Sequence, residues 1–329
     1  MRKFDFKAET FTLNAPFIIS RGSRIETAVV VVEITEGGKR GWGESTPTKH
    51  YGESVDSVMQ QIAAIAPKIE SGLSRQDLQT AMPAGAARNA IDCALWDLEA
   101  KQKGKTIAEL LGQKWPDHLQ SVQTISIGTP EKMGADALKL ANFPTIKVKL
   151  NAELVVERIK AIHKNAPKAK IIVDANEAWD LELVKKVAQD LKDNGVVMLE
   201  QPLPASKDEA LRGYNAPLPL GGDESCHTSA DLQRLKGLYD VVNIKLDKTG
   251  GITEAHKLMT QAKEMGFDIM VGCMIGTSLS MAAGMFIATE AKYVDLDAPT
   301  MLKTDRDHAL TIIDGQMSAL DQRLYGGAK

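Results

Sequence analysis

The sequence has few cysteines, no long apolar run and no strong excess of one charge, and each absence excludes a class of protein. Its three cysteines, Cys93, Cys226 and Cys273, lie far apart, which argues against a disulfide framework or a zinc knuckle and fits reduced thiols. No apolar run approaches the ~18 residues of a membrane-spanning helix, and the opening MRKFDFKAET lacks the apolar core of a signal peptide. A formal charge of −3 gives no reason to expect nucleic acid or an anionic membrane as a partner. We therefore expect a soluble cytoplasmic protein.

Residues 1–113 combine strand and helix patterns and form the first predicted domain. The stretch TAVVVVEITEGGKRGWGES (27–45) is two strand-like runs joined by a glycine-rich turn, which predicts an antiparallel hairpin. Over residues 84–102, apolar side chains recur at the i, i+3, i+4 and i+7 spacing of an amphipathic helix. The segment GQKWPDHLQ (112–120) predicts a linker. A chain of 329 residues suits a smaller domain of this kind followed by a larger one.

Beyond the linker, short apolar runs recur at regular intervals. Charged, alanine-rich, helix-like stretches separate eight such runs, which begin at positions 122, 145, 169, 195, 218, 240, 267 and 293. One strand, one helix and two loops need about this length, and eight such units close a barrel. An open doubly wound sheet is the alternative. A glycine-rich G-x-G-x-x-G turn would be expected after its first strand, and VQTISIGTPEK has none. We therefore favour the barrel.

Ionisable residues end five consecutive predicted strands, in the order Lys149, Asp174, Glu200, Asp223 and Lys245. Active sites of parallel barrels lie at the carboxyl ends of the strands, so these side chains should converge. Three carboxylates brought together repel one another unless a cation binds them, and an all-oxygen set selects a hard ion such as Mg²⁺. Zinc is disfavoured because there is no H-E-x-x-H motif and no cysteine pair. One carboxylate alone would more readily cap the next helix, but three in consecutive units favour the metal.

The stretch TIKVKLN (145–151) puts two positive charges on one face of a predicted strand, because side chains two apart point the same way. A lysine is a poor base at its ordinary pKa of ~10.4, and a like-charged neighbour or a metal lowers that pKa. Lys147 is such a neighbour for Lys149, while Lys245 lies on the opposite side of the predicted rim. The alternative is a lysine pair held in ion pairs at the barrel end, which the metal ligands and Lys245 disfavour.

A metal flanked by two opposed bases predicts a reaction class. A substrate carboxylate binds the cation, one lysine removes the α-proton to give an enolate, and the other lysine returns a proton on the opposite face. This 1,1-proton transfer is the chemistry of an epimerase or racemase. On the eighth strand, YVDLDAP places Asp295 and Asp297 on one face near the mouth, where two acids suit a substrate ammonium group. Their alternative role is a turn or helix cap before Pro299.

The motifs KVK, DAN, EQP, DES and NIKLDKTGG, in this order, resemble those of the enolase superfamily, muconate-lactonising subgroup, and that superfamily uses lysine or histidine bases with Mg²⁺. VDLDAP followed by MLKTD is similar to dipeptide epimerases, and PFIISRGSR with YGESVDSVMQQI is similar to those acting on L-Ala-D/L-Glu in murein peptide recycling. The resemblance covers nearly the whole chain. It implies an α/β fold, a modified TIM barrel (β/α)7β with an N-terminal α+β capping domain. The implied divisions are a capping domain at 1–113, a barrel at 114–300, and a C-terminal segment at 301–329 that returns to the capping domain.

The resemblance also implies a role for each candidate residue. Lys149 and Lys245 correspond to the two bases, with Lys147 beside them. One Mg²⁺ per subunit would be held by Asp174, Glu200 and Asp223. The substrate-binding candidates are Asp295 and Asp297 for the amino terminus of a dipeptide, Thr124 on the first strand, and an arginine of the capping loop for the side-chain carboxylate of Glu. Arg21 and Arg24 both fit that loop, and Arg24 is preferred. The expected partner is this small dipeptide, and a homo-oligomer is compatible with such a barrel.

Three other functions compete with this hypothesis. An epimerase of another dipeptide would share the whole site. A lyase of the same superfamily, an o-succinylbenzoate synthase or a muconate cycloisomerase, would share the lysines and the metal but has no use for Asp295 and Asp297 as ammonium ligands. A non-catalytic metal-binding scaffold would have no reason to keep all three carboxylates and both bases. No histidine stands where the mandelate-racemase subgroup needs its His–Asp base.

Overall fold

The computed structural model describes residues 2–116 and 118–327. The chain begins with a three-stranded antiparallel sheet in the order β1-β2-β3, formed by Lys3–Ile19, Gly22–Glu36 and Lys39–Ser45. Four helices follow it, α1 to α4, at Val55–Glu70, Arg75–Ala81, Ala86–Lys103 and Ile107–Leu111. The predicted hairpin over 27–45 and the predicted helix over 84–102 are therefore confirmed as β2–β3 and α3. The sequence reading missed β1, which pairs along β2.

Strand β2 reads as a continuous apolar run because both of its faces are covered. Val30 and Val32 pack in the core of the capping domain, whereas Val29 and Val31 pack in the large core shared with the barrel. Strand β3 lies close against α3, and Gly41 and Gly43 permit this approach because neither has a Cβ. A Cβ on Gly43 would lie 2.3 Å from the carbonyl oxygen of Ala90, far inside van der Waals contact.

Eight parallel strands form the second sheet, and they neighbour one another in sequence order. They are β4 to β11, at Gln123–Ile125, Thr145–Lys149, Lys170–Asp174, Val196–Glu200, Leu220–Gly222, Val241–Ile244, Asp268–Val271 and Tyr293–Val294. The sheet curls so that its ends meet, because the N–H of Val122 donates to the carbonyl oxygen of Val294 at 2.9 Å. All eight predicted strands are present, and the predicted barrel class is confirmed.

Helices cover the outside of the curled sheet. The segments between strands carry α5 to α11, at Pro130–Lys139, Val155–Asn165, Leu181–Asp193, Leu232–Leu235, Leu246–Thr249, Ile252–Glu264 and Ser278–Ala288. The crossover from β7 to β8 carries a 3-10 helix, Ala205–Leu211. Outward-facing Ile146 and Val148 of β5 belong to the large core, while Ile172, Met198 and Met270 belong to a separate cluster inside the barrel. No helix in the described part of the chain is long and apolar enough to cross a membrane.

The C-terminal segment packs against the capping domain. It contains two short paired strands, β12 and β13, at Ile312–Ile313 and Gln316–Met317. The hydroxyl of Tyr325 donates to the carbonyl oxygen of Cys93 at 2.7 Å, and the N–H of Gly326 donates to Asp97 at 2.7 Å. The expected return of residues 301–329 and the divisions at 113 and 300 stay predictions, and residues 328 and 329 lie outside the described part of the chain.

Candidate active site

Three buried carboxylates meet at the carboxyl ends of neighbouring strands. Asp174 ends β6, Glu200 ends β7 and Asp223 directly follows β8. The register sets Lys149 opposite Asp174, and Asp174 opposite Glu200, so these side chains share one level of the barrel. One oxygen from each of the three carboxylates lies within 4.8 Å of the others. The predicted convergence of these residues is present in the structure.

The cluster has the donor set that a hard cation needs. All three side chains offer oxygen, which Mg²⁺ prefers. Asn243 donates to Oε1 of Glu200 at 2.6 Å and so orients that carboxylate, while Oε2 of Glu200 lies 2.7 Å from Nζ of Lys147. Burial and the nearby Asp174 raise the pKa of Glu200, because crowded carboxylates resist ionisation. These three residues therefore fit Mg²⁺.

Two lysines approach the carboxylates from opposite sides. Nζ of Lys149, at the end of β5, lies 2.5 Å from Oδ2 of Asp174. Nζ of Lys245, directly after β9, lies 2.6 Å from Oδ2 of Asp223. Burial raises the pKa of Asp223, but the neighbouring lysines outweigh burial and hold that pKa well below its usual value. Both lysines line the same cavity, as a pair of opposed bases requires.

Lys147 is fully buried and lies among three carboxylates. Its Nζ is 2.7 Å from Glu200, 2.7 Å from Asp295 and 3.1 Å from Asp174. Burial lowers the pKa of Lys147, but the attraction of Asp295 and Glu200 outweighs it, so the pKa lies well above its usual value. Lys147 and Lys149 thus share Asp174, and the proposed effect of one ammonium on the other stays a prediction.

The two acids that follow the eighth strand have different partners, and only one of them is paired with a positive charge. Asp295 pairs with Lys147, whereas Asp297 accepts a hydrogen bond from the N–H of Thr124 at 2.7 Å. Burial, followed by repulsion from Asp295, raises the pKa of Asp297 to about 7. All three residues Thr124, Asp295 and Asp297 line the cavity that Lys149 and Lys245 line. A cation seated beside Asp297 would favour its charged form.

A cavity of about 470 Å³ opens above these residues, and the capping domain forms its roof. Both candidate arginines of the β1–β2 hairpin reach this cavity, but their surroundings differ. Arg21 is held by Glu224, 2.7 Å away, and by Glu177 at 3.3 Å. The backbone of Arg24 pairs with Phe17 of β1, but its guanidinium forms no hydrogen bond or ion pair within residues 2–116 and 118–327. Burial and the positive charge of Arg21 lower the pKa of Arg24, as expected for a cation without an anionic partner.

Three polar residues outside the predicted catalytic, metal and substrate-binding set support the site. Asn243 holds Glu200, Glu224 holds Arg21, and the fully buried Lys248 donates to Oδ1 of Asp223 at 2.6 Å. A signal existed for Asn243, because it lies two residues before Lys245 and so faces the barrel interior with it. Lys248 and Glu224 lie outside the strands, where spacing does not indicate direction.

A curled parallel barrel that carries three carboxylates and two opposed lysines at one rim, roofed by an antiparallel sheet domain, defines an enolase-type enzyme. The family models agree with this class. Residues 3–112 match the mandelate racemase / muconate lactonizing enzyme N-terminal domain, and residues 132–323 match the enolase C-terminal domain-like family. The chain belongs to the mandelate racemase / muconate lactonizing family of the enolase superfamily.

Curated relatives with this family's chemistry match over nearly the full chain. The L-Ala-D/L-Glu epimerase of Escherichia coli (strain K12) is 48% identical over 319 residues, which cover 96% of this chain and 99% of that protein. The N-acetyl-D-glutamate racemase of a Pseudoalteromonas species is 45% identical over 302 residues, covering 91% and 96%. Both relatives are isomerases that act on amino acid derivatives.

Solved structures share the fold throughout. An enolase family member from Agrobacterium tumefaciens with homology to dipeptide epimerases, holding sodium and L-Ala-L-Glu, superposes with a TM-score of 0.96 at 41% identity, covering 99% of this chain and all of that one. The dipeptide epimerase of Enterococcus faecalis V583, holding Mg and L-Leu-L-Tyr, superposes with a TM-score of 0.89 at 28% identity, covering 99% and 98%. Mg²⁺ in that structure agrees with the predicted cofactor.

Proposed function

We propose that this protein is a Mg²⁺-dependent dipeptide epimerase that interconverts L-Ala-L-Glu and L-Ala-D-Glu by a 1,1-proton transfer at the Glu α-carbon. One observation carries the proposal. Lys149 and Lys245 reach one cavity from opposite sides of the carboxylate cluster, so a substrate between them presents one face of its α-carbon to each lysine. The E. coli and A. tumefaciens relatives, with L-Ala-D/L-Glu activity and bound L-Ala-L-Glu respectively, support the substrate.

The carboxylates and lysines of the site have three separate roles in the proposed reaction. Asp174, Glu200 and Asp223 would hold Mg²⁺, which supplies positive charge that stabilises the substrate carboxylate as negative charge builds on it. In one direction Lys149 or Lys245 accepts the α-proton, and the other lysine donates a proton to the opposite face. Lys147 stays protonated among Asp174, Glu200 and Asp295, so it adds fixed positive charge beside the reacting centre.

The two ends of the dipeptide have separate binding groups. Asp297, backed by Asp295, lies on the barrel and would receive the ammonium group of the first residue. Arg24 lies on the capping hairpin and would receive the side-chain carboxylate of Glu, because its guanidinium is not engaged in the described structure. A guanidinium and a carboxylate form a strong, directional ion pair, which would favour acidic second residues.

The cellular setting follows from this substrate. L-Ala-D/L-Glu is a fragment of murein, so a role in peptidoglycan recycling and a cytoplasmic location are part of the proposal. A homo-oligomer is compatible with the barrel. We retain the division into a capping domain at 1–113, a barrel at 114–300 and a returning segment at 301–329.

A proton-exchange experiment tests the function directly. The purified protein is incubated with L-Ala-L-Glu and Mg²⁺ in D₂O, and the Glu α-proton is followed by NMR together with the optical rotation. Loss of the α-proton signal with rotation moving toward the L,D product is the expected result. EDTA should stop both changes, and added Mg²⁺ should restore them. Absence of exchange in protein shown to bind Mg²⁺ would refute this substrate.

Replacing each base separates the two faces of the reaction. Lys149→Ala and Lys245→Ala should each lower epimerisation by about 10³-fold or more, since positioned acid–base groups contribute roughly 10²–10⁴-fold. Each variant should still exchange the α-proton of one stereoisomer through its remaining lysine. Full epimerisation by both variants would rule out the two-base assignment.

A second candidate, racemisation of N-acetylglutamate, is favoured by the 45% identity to the Pseudoalteromonas enzyme. This substrate keeps the side-chain carboxylate but lacks an ammonium group. Asp297→Asn distinguishes the candidates, because it removes the charge that would bind an ammonium while keeping an oxygen that accepts from Thr124. A dipeptide epimerase should lose most activity on L-Ala-L-Glu in this variant, whereas an N-acetylglutamate racemase should keep its activity on that substrate.

A further inference from the structure

The tip of the β1–β2 hairpin is fastened to the barrel through Arg21. Nη1 of Arg21 lies 2.7 Å from Oε1 of Glu224, 3.2 Å from the carbonyl oxygen of Asn176 and 3.3 Å from Oε2 of Glu177. The hydroxyl of the preceding Ser20 donates to the same Asn176 carbonyl at 3.1 Å. These acceptors follow β6 and β8, the strands that deliver two of the metal-binding carboxylates.

The barrel loop that receives Arg21 has an unusual backbone. Asn176 and Glu177 have φ angles of 43° and 67°, in the left-handed region that costs about 1 kcal/mol or more for residues other than glycine. This conformation turns the Asn176 carbonyl toward the hairpin. The other oxygen of Glu177, Oε1, accepts from the N–H of Ala205 at 2.7 Å, so the carboxylate is held from the barrel side.

Glu177 also joins the second loop of the capping domain. Nε2 of His50 lies 2.9 Å from Oε2 of Glu177, the oxygen that Arg21 approaches. The ring of Tyr51 packs edge-on against His227 of the barrel with centroids 4.6 Å apart. One barrel carboxylate therefore contacts both loops that roof the cavity.

The positive charge of Arg21 is paired with a buried carboxylate of the protein itself. Glu224 is buried, and an unpaired buried carboxylate would be strongly unfavourable. Burial lowers the pKa of Arg21, but the attraction of Glu224 outweighs burial and raises it. Arg24, three residues along the same hairpin, has no such partner and lines the cavity.

We propose that Arg21 is a positioning residue, which fastens the capping hairpin to Glu177 and Glu224 and thereby holds Arg24 in place for the substrate side chain. Glu177 is its partner in this task. The inference rests on the proposed function for its kinetic consequences, but the fastening itself exists without substrate. Arg21 acts through the position of Arg24, so its loss should fall mainly on dipeptides whose second residue is acidic.

Hydrogen–deuterium exchange of backbone amides in residues 16–26 tests the fastening without any catalysis. In metal-loaded, substrate-free protein, Arg21→Met should raise exchange in this segment by about 10-fold, Glu177→Gln should raise it less because Glu224 still holds Arg21, and the double variant should show no rise beyond that of Arg21→Met. Arg24→Met is the matched control, because it removes a guanidinium from the same hairpin without breaking a described contact, and its exchange should equal that of the wild type. Arg21→Lys should restore part of the protection. Additive effects in the double variant, or unchanged exchange in Arg21→Met, would overturn the proposal.

Kinetics separate positioning from direct binding. With L-Ala-L-Glu, Arg21→Met should raise KM by about 10-fold, and Arg24→Met combined with Arg21→Met should raise it little beyond Arg24→Met alone. Additive losses in the double variant would make Arg21 a substrate ligand in its own right and overturn the inference. If L-Ala-L-Glu is not turned over by the wild type, the proposed function fails while the exchange experiment still decides the fastening. Thermal unfolding of each variant shows that it is folded.

Discussion

Among single residues, the two hairpin arginines show how neighbours decide what a charge can do. They lie three positions apart and both reach the cavity, yet Arg21 has two carboxylates within 3.3 Å and Arg24 has no described ionic contact. A guanidinium already paired with protein carboxylates gains little from a substrate carboxylate, because the first pair must be broken. The free one gains the full interaction.

Arg24→Met should therefore lower kcat/KM for L-Ala-L-Glu by roughly 10- to 100-fold, since a hydrogen bond to a charged group contributes about 1.5–3 kcal/mol. Most of the loss should appear in KM, because the Glu side chain is remote from the transferred proton. Activity on a dipeptide with an apolar second residue should not fall. Steady-state kinetics with both substrates measure this, and an equal loss on both would contradict the assignment.

Asp247 is a buried carboxyl that titrates near neutrality. Its Oδ1 accepts from the N–H of Thr46 and from Asn89, both at 2.9 Å, so it joins the start of α9 to the capping domain. Burial raises the pKa of Asp247 to about 7, above the ~3.9 of an unfolded chain. The folded state therefore keeps the proton longer, and the stabilisation from this group is lost as pH rises from about 4 to 7.

Asp247→Asn keeps an oxygen for both donors and removes the titration. The free energy of unfolding of the variant, relative to wild type, should increase between pH 5 and pH 8 by at least about 1 kcal/mol, since each pKa unit corresponds to about 1.4 kcal/mol. Urea unfolding at the two pH values measures it. Parallel pH dependence in the two proteins would show that Asp247 does not titrate in this range.

Among the secondary-structure elements, the barrel strands were predicted from the sequence and β1 was missed. Buried parallel strands read as apolar runs, so all eight could be found, and their ionisable ends had to meet because parallel strands share one rim. Strand β1 exposes much of its length, with polar residues such as Lys7, Thr10 and Asn14. Its apolar residues do alternate with polar ones, at Phe4 and Phe6 and again at Phe11 and Leu13, which is a half-buried strand pattern that the sequence reading did not use. The pairing of Lys147 with Asp295 joins residues 148 positions apart and depends on barrel closure, which spacing does not encode.

The contact between β3 and α3 depends on glycine. A Cβ at position 43 would lie 2.3 Å from the Ala90 oxygen and 2.7 Å from the Ala94 nitrogen, and helix backbone cannot move aside cheaply. Gly43→Ala should lower the free energy of unfolding by about 1–3 kcal/mol, measured by urea denaturation. Gly128→Ala is the control, since its Cβ would first meet the flexible Lys132 side chain at 3.3 Å. Equal stability of the two variants would contradict this packing argument.

For the whole molecule, Arg306 joins three parts of the chain. It lies in the C-terminal segment, donates to Glu44 of β3 at 2.7 Å and to the hydroxyl of Thr277, at the start of α11, at 3.1 Å. Glu44 also accepts the N–H of Thr277 at 2.7 Å. Burial raises the pKa of Glu44, and Arg306 opposes that rise. Capping domain, barrel and C-terminal segment thus share one buried ion pair.

Arg306→Met should destabilise the protein by about 3–5 kcal/mol, because breaking a buried pair leaves an uncompensated charge. The loss should grow with pH as Glu44 ionises. Thermal unfolding at pH 5 and pH 8 measures both effects. Glu44→Gln combined with Arg306→Met should recover part of the loss, and a double variant as unstable as Arg306→Met would show that the charge of Glu44 is not the cause.

The placement of Arg24 on the hairpin and of Asp297 on the barrel has a consequence for how this enzyme could change over time. The residues proposed to bind the two halves of the dipeptide belong to different parts of the chain, and neither is a proton-transferring lysine. Substitutions on the hairpin can alter the preferred second residue while the amine site and the chemistry stay intact. New substrate preferences can therefore arise through few mutations on the hairpin, because these leave the carboxylates and lysines of the barrel unchanged.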